Sequence, residues 1–258
     1  MGASSEIKIV TIGDHQIRLD PRTKHGRMYL KNSSAGIDDI DVAIARRFMR
    51  AGDRVLDLGA NIGYNSLHYL NLGAAHVDAV EPHPDLSARL RPFEGDRFAV
   101  HPVAVGAAPG RARMIVSQSH DQGHTLKPEV VAIHRAVFGA TLREIEVDVT
   151  TADLLFPSAR FDYIKADIEG SELDFIAGAR RLFAERPPRV LQIEIMPEFY
   201  DAYAAVLSHY FGTVLRIDYD RDSGRIDAVA PSAPTRDGFR NVPPNYVLFN
   251  DRGTPAIG

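Results

Sequence analysis

Short apolar runs and stretches of helical periodicity follow one another along most of this chain. The apolar runs are typical of strands that are buried on both faces of a sheet. They predict strands at residues 54–58, 75–81, 98–105, 163–167, 190–195, 213–218 and 246–249. Apolar positions three and four residues apart predict helices at residues 61–72, 84–91, 171–183 and 197–210. This alternation favours an α/β fold with a mostly parallel sheet and helices on both of its faces.

Two segments depart from this alternation. Near the start, apolar and polar residues alternate on both sides of Gly13, which predicts a hairpin, and helical spacing follows over residues 38–49. We therefore expect an N-terminal hairpin and helix, residues 1–50, packed on a main domain of residues 51–258. Within 111–149, short alternating runs flank a polar stretch, which indicates a hairpin-like insertion.

Composition narrows the classes of chemistry. The chain has no cysteine, which excludes disulfides, thiolate nucleophiles and cysteine-ligated metal sites and fits a cytoplasmic location. Its 30 Lys and Arg residues against 34 Asp and Glu residues give a net charge of −4, which disfavours nucleic acid as a partner. No segment approaches the roughly 20 apolar residues that span a bilayer, so we expect no membrane partner.

The strand at residues 54–58 leads into a glycine-containing turn, V-L-D-L-G-A-N-I-G (Val55–Gly63). Glycines allow a tight turn and let a ligand approach the backbone closely. Asn61 stands where the dinucleotide fingerprint G-x-G-x-x-G has its second glycine, which disfavours a nicotinamide-dependent oxidoreductase. Asp57 can accept hydrogen bonds from an ammonium group. A ligand with an amino-acid part, such as S-adenosylmethionine, therefore fits this turn better than a dinucleotide does.

Acidic residues stand at the ends of three predicted strands. Glu81 ends the second strand, where a carboxylate can accept both hydroxyls of a ribose. Asp167 ends the fourth, in K-A-D-I-E-G-S-E (Lys165–Glu172), and Lys165 shares its face because side chains alternate along a strand. Glu194 ends the next strand. Asp167 and Glu194 could together hold a proton or a divalent metal such as Mg²⁺, and the sequence leaves the metal open.

Three motifs in this order resemble the FkbM family of S-adenosylmethionine-dependent methyltransferases: D-L-G-A-N-I-G (Asp57–Gly63), E-P-H-P (Glu81–Pro84) and K-A-D-I-E-G-S-E (Lys165–Glu172). The resemblance covers roughly residues 52–195. It implies a class I methyltransferase Rossmann-like fold, with a seven-stranded, mostly parallel sheet, helices on both faces and a reversed last strand, for which residues 246–249 are the candidate. It also implies O-methylation of a hydroxyl on a sugar, a glycan or a natural-product small molecule.

The resemblance also implies the location of the cofactor. The residues around Gly59 and Asn61 would hold the methionine part, Glu81 the ribose, and residues 103–105 the adenine. The expected cofactor-binding residues are Asp57, Gly59, Ala60, Asn61, Gly63, Glu81, Ala104 and Asp167.

A hydroxyl becomes a good nucleophile as it loses its proton, so the catalytic candidates are proton acceptors. Asp167 is the first choice, as base or metal ligand, and Glu194 and His124 follow. His124 belongs to a predicted loop, and histidine titrates near neutral pH. Two other functions stay open: a non-catalytic nucleotide-binding module, and methylation of a protein or RNA on the same fold.

We expect the acceptor site in the parts of the chain that the family pattern constrains least. These are the N-terminal segment, the insertion and the loop at residues 223–244. Four arginines there could hold a phosphate or carboxylate, although scattered arginines are usually solvated: Arg135, Arg143, Arg225 and Arg240. The sequence also leaves a homo-oligomer open.

Overall fold

The predicted alternation is present in the computed structural model, which describes residues 6–117, 124–127, 142–195, 199–232 and 245–250. The strands of these residues are β1 (Lys8–Ile12), β2 (His15–Leu19), β3 (Arg54–Leu58), β4 (His76–Val80), β5 (Phe98–His101), β6 (Ala104–Val105), β7 (Gly110–Ser117), β8 (Leu142–Thr150), β9 (Tyr163–Ala166), β10 (Val190–Glu194), β11 (Thr213–Tyr219), β12 (Ile226–Val229) and β13 (Asn245–Phe249). The helices are α1 (Lys24–Ala35), α2 (Ile40–Phe48), α3 (Tyr64–Asn71), α4 (Pro84–Leu90), α5 (Ala152–Leu155), α6 (Glu172–Gly178), α7 (Arg180–Glu185) and α8 (Tyr200–Leu207).

Eight of the described strands form one sheet in the order β12-β11-β13-β10-β9-β3-β4-β5. The strands from β10 to β5 are parallel, and β13 pairs antiparallel with both β10 and β11. The predicted α/β class and the reversed last strand are therefore confirmed. The sheet has one strand more than the predicted seven, because β12 pairs antiparallel with β11 inside the segment predicted as a loop. Polar turn residues around Gly224 obscure this short edge strand in the sequence.

Alternation along the strands divides the core into two layers. Val55 and Tyr163 face one layer, which also contains buried residues of the β1–β2 hairpin and of α1 to α4. Leu56 and Ile164 face the other layer, which contains buried residues of α5 to α8. The helices thus cover both faces of the sheet, as expected of parallel strands. No helix among the described residues is long and apolar enough to cross a membrane.

Three predicted elements differ from the structure for local backbone reasons. The predicted strand 98–105 divides at Pro102, which has no N–H to donate, and β6 joins β8 and β7 in a separate three-stranded sheet. Helix α3 begins at Tyr64, later than predicted, because Asn61 (φ 53°) and Gly63 (φ 85°) have left-handed backbone conformations. The predicted helix 171–183 is two helices, α6 and α7, which meet at Ala179.

Helix α1 was not predicted from the sequence. It begins after Thr23, whose side chain accepts a hydrogen bond from the Gly26 N–H, and it ends at Gly36 in a left-handed conformation. Its buried residues include His25, Asn32 and Gly26, so its buried face is largely polar and gives no apolar periodicity.

Gly178→Ala is expected to destabilise the protein by about 1–3 kcal/mol through overpacking. A Cβ at Gly178 would lie 2.0 Å from the carbonyl oxygen of Gly106, so α6 and the β6 region would have to move apart. Gly95→Ala is the matched control, because no atom lies within 4 Å of the added Cβ. Urea unfolding measures both variants, and equal stability of the two would contradict this packing.

Candidate active site

A cavity that is open to solvent lies at the carboxyl ends of β3, β4 and β9. This is the edge at which open parallel sheets bind ligands. Six of the expected cofactor-binding residues line the cavity, and so does His124, which was predicted as a catalytic candidate. The six are Gly59, Ala60, Asn61, Glu81, Ala104 and Asp167.

The glycine turn brings the backbone against the end of β9. Gly59 has a φ of 79°, and a Cβ at this position would lie 2.0 Å from the carbonyl oxygen of Asp167. A side chain is therefore excluded at Gly59 on two grounds, conformation and space. Gly63 does not line the cavity. Its positive φ and its closeness to Leu90 show that it serves the start of α3.

Glu81 is held in one orientation by two backbone groups. Its Oε2 accepts a hydrogen bond from the Asn61 N–H at 2.9 Å, and its Oε1 accepts one from the His83 N–H at 2.8 Å. Burial raises the pKa of Glu81 to about 7, against the effect of these two hydrogen bonds. The His83 ring stacks on that of His124, with centroids 5.0 Å apart, so His124 lies on the Glu81 side of the cavity.

An apolar part of the wall lies near Glu81. It includes the three residues expected to line an adenine, and its members are Val80, Pro82, Val103, Ala104, Val105, Met114 and Leu126. Thr125 helps to hold the segment 124–127 here. It pairs with Ile115 of β7, and the Thr125 Oγ1 donates a hydrogen bond to the carbonyl oxygen of Glu169 at 2.6 Å. The neighbouring residues 118–123 and 128–141 of the predicted insertion lie outside the described part of the chain.

Lys165 lies among three carboxylates. Its Nζ is 3.4 Å from Asp167 Oδ2, 3.7 Å from Asp57 Oδ1 and 3.8 Å from Asp41 Oδ2, and its side chain is only 3% exposed. Burial opposes its charge, but the three carboxylates raise the pKa of Lys165 well above its usual range. Lys165 is therefore a buried ammonium ion at neutral pH, and it lies beside Asp167, with which it was predicted to share a face.

Asp57 occupies a different place from the one expected. It is completely buried, it does not line the cavity, and it accepts a hydrogen bond from Ser66 Oγ. The ammonium group that Asp57 faces is that of Lys165, on the neighbouring strand. Asp57 Oδ1 has no hydrogen-bond partner among the described residues, and contact between Asp57 and the ammonium group of a cofactor stays a prediction.

Asp167 and Glu194 share a hydrogen bond at the ends of β9 and β10. Burial and the charge of Asp167 raise the pKa of Glu194 well above its usual range, which favours Glu194 as the proton-bearing partner of the pair. Burial also acts on Asp167, but Lys165 and the hydrogen bond from Glu194 hold its pKa below the usual value. Asp167, whose side chain is 33% exposed, is therefore an ionised carboxylate at the cavity wall.

Helices α1 to α3 contribute lining residues that sequence reasoning missed. Tyr29 and Tyr64 stack with ring centroids 3.8 Å apart. Asp41 accepts hydrogen bonds from Asn65 Nδ2 at 2.7 Å and from Gln192 Nε2 at 2.6 Å. Asp41 is an acid in the first turn of α2, where acids are common because they favour the helix dipole, so its position alone does not indicate a site.

Metal binding has no support in the described residues, which contain no group of three or more histidines, aspartates or glutamates placed to hold an ion.

Two comparisons with solved structures give distant likenesses. Precorrin-6Y C5,15-methyltransferase from Geobacter metallireducens is 11% identical with a TM-score of 0.41, over 81% of this chain and 86% of that one. Ribosomal protein L11 methylase from Lactobacillus delbrueckii is 13% identical with a TM-score of 0.42, over 81% of this chain and 76% of that one. Neither tells what this chain methylates. A search of curated proteins found no match.

The methyltransferase FkbM domain matches residues 57–218, which is well over half of the chain. The matched residues include the glycine turn, Glu81 and the segment Lys165–Glu172, on which the resemblance was based. The family implies S-adenosylmethionine as cofactor. The chain therefore belongs to the FkbM methyltransferase family and is a methyltransferase.

Proposed function

We propose that this protein transfers a methyl group from S-adenosylmethionine to a hydroxyl oxygen of a sugar, a glycan or a natural-product small molecule. The observation that carries this proposal is the Asp167 carboxylate at the cavity wall, whose Oδ2 lies 3.4 Å from the buried Lys165 ammonium group. An acidic acceptor of hydrogen bonds at this place suits an acceptor hydroxyl, which must be oriented and must lose its proton.

The residues of the cavity fit the cofactor. Gly59 lines the cavity with its backbone alone, Glu81 presents a fixed carboxylate for the ribose hydroxyls, and the wall at residues 103–105 suits the adenine. Ser171 Oγ, on the cavity wall, is buried and has no hydrogen-bond partner among the described residues, as expected of a group that awaits a ligand. When bound, S-adenosylmethionine supplies an electrophilic methyl group.

Asp167 is the proposed acceptor of the hydroxyl proton. Its low pKa makes it a weak base, so it orients the hydroxyl by accepting a hydrogen bond and takes the proton as the new bond forms. Glu194 already carries a proton, and we assign it to holding Asp167 in place. His124 stacks on His83 beside Glu81, and we assign it to covering the cofactor. Positioning contributes about 7–11 kcal/mol in well-oriented reactions.

Cofactor affinity is expected to depend on the charge of Glu81. Because burial raises its pKa to about 7, Glu81 is ionised above pH 7 and accepts the ribose hydroxyls best there. Calorimetric titration with S-adenosylmethionine should show affinity about tenfold lower at pH 6 than at pH 8. Glu81→Gln should weaken binding and remove this pH dependence, whereas Glu185→Gln, at an exposed position, should change neither. Binding of NADH instead of S-adenosylmethionine would contradict the assignment.

Asp167→Asn is expected to lower turnover by about 10²–10⁴-fold, because the isosteric amide cannot accept the proton. Cofactor affinity should change far less. The assay is transfer of a tritium-labelled methyl group to a panel of hydroxylated acceptors, with exposed Asp201→Asn as the matched control. Unchanged turnover would remove Asp167 from the mechanism.

A further inference from the structure

One part of the cavity wall has no role in holding the cofactor as proposed above. It is built by Tyr29 of α1, Asp41 of α2, and Tyr64 and Asn65 of α3, and we call it the α-helical wall. Asp41 accepts a hydrogen bond from Gln192 of β10. Strands β9 and β3 lie between β10 and β4, the strand that Glu81 follows, so Asp41 and Glu81 lie at different places along the sheet. Asp41 and Asp167 contact the same ammonium group of Lys165, so the α-helical wall adjoins the proposed proton acceptor.

Asn65 carries an unsatisfied hydrogen-bond acceptor at this wall. Its Nδ2 donates to Asp41, which fixes the amide, but its Oδ1 has no hydrogen-bond partner among the residues that the structure describes. Asn65 is only 9% exposed. A buried polar atom without a partner is costly and usually marks a place where a ligand or water binds. The missing partner must be a donor, such as a hydroxyl or an ammonium group.

The charge of the cavity disfavours anions. Its described wall includes the acidic residues Asp41, Glu81, Asp167 and Glu169, and none of its described residues is an arginine. Its lysine, Lys165, is already surrounded by three carboxylates. Burial raises the pKa of Asp41 to about 6, so Asp41 is mostly ionised at pH 7. Arg143 and Arg225 do not line the cavity, and Arg135 and Arg240 lie outside the described residues.

We propose that the α-helical wall is the acceptor subsite and that it selects a polyol without anionic groups, either neutral or bearing an amine. Asp41 and Asn65 Oδ1 accept hydrogen bonds from its hydroxyl or ammonium groups, and a neighbouring hydroxyl lies toward Asp167. A phosphorylated or carboxylated acceptor is disfavoured, because it would meet the carboxylates of the wall, and the cavity's described residues include no lysine or arginine besides the paired Lys165. This inference rests on the proposed function.

Saturation-transfer NMR tests the subsite directly on the full chain at pH 7, with and without S-adenosylhomocysteine. The probes are methyl β-D-glucopyranoside, D-glucosamine and D-glucose 6-phosphate. The first two should bind, and the phosphate should bind at least about tenfold more weakly. Asn65→Ala should weaken the binding of the glucoside and of glucosamine by about tenfold. Asp41→Asn should remove any difference in affinity that favours glucosamine over the glucoside. Asn71→Ala, at the exposed end of α3, is the matched control and should change nothing.

Equal or tighter binding of the phosphate, no binding of any probe, or full binding by Asn65→Ala would overturn the subsite. Thermal unfolding of each variant identifies any loss of fold, and Asn65→Ala provides the test if Asp41→Asn does not fold.

Methyl transfer to the same probes distinguishes failure of the proposed O-methylation from failure of the proposed acceptor subsite. Binding without transfer would contradict O-methylation of sugars and support the subsite. Transfer that neither substitution affects would support O-methylation and contradict the subsite.

Discussion

The ammonium group of Lys165 joins three parts of this protein that are distant in sequence. The carboxylates around it come from α2, from β3 and from the end of β9, at distances of 3.4 to 3.8 Å. A buried ion costs several kcal/mol unless close partners compensate it, so each of these groups depends on the others. The position of α2 over the sheet, the lowered pKa of Asp167 and the position of the buried Asp57 beside Lys165 therefore depend on the same ammonium group.

The same cluster explains why the site needs residues from outside the family match. The match begins at residue 57, yet Asp41 and Tyr29 precede it and line the cavity. Asp41 contacts Lys165, and its partners Asn65 and Gln192 connect it to α3 and β10. The N-terminal helices thus complete the cavity and balance the charge beside Asp167. Because this part of the chain is not constrained by the motifs, it is the natural place for acceptor specificity.

The sequence predicted what depends on local patterns and missed what depends on tertiary contact. Alternation along a strand placed Lys165 and Asp167 on one face, and their 3.4 Å separation confirms it. The same reasoning could not foresee that Lys165 Nζ would also lie 3.7 Å from Asp57 Oδ1, because Asp57 belongs to the neighbouring strand. Tyr29 was missed because the buried face of α1 is largely polar, and Asn65 was missed because an asparagine in a helix usually faces water. The ring stack of Tyr29 and the hydrogen bond of Asn65 to Asp41 follow from the packing of α1 to α3 on the sheet.

We expect the buried Lys165 ammonium group to keep Asp167 ionised, with Glu194 as the proton-bearing partner of the pair. Carbon-13 NMR of labelled aspartate side chains measures this, with the Asp167 resonance assigned from the spectrum of Asp167→Asn. Asp167 should keep the chemical shift of an ionised carboxylate as the pH falls from 8 to below 5. In Lys165→Met, the pKa of Asp167 should rise above the ordinary value of about 3.9. Protonation of Asp167 in the unaltered protein near neutral pH would show that Lys165 does not hold this carboxylate ionised.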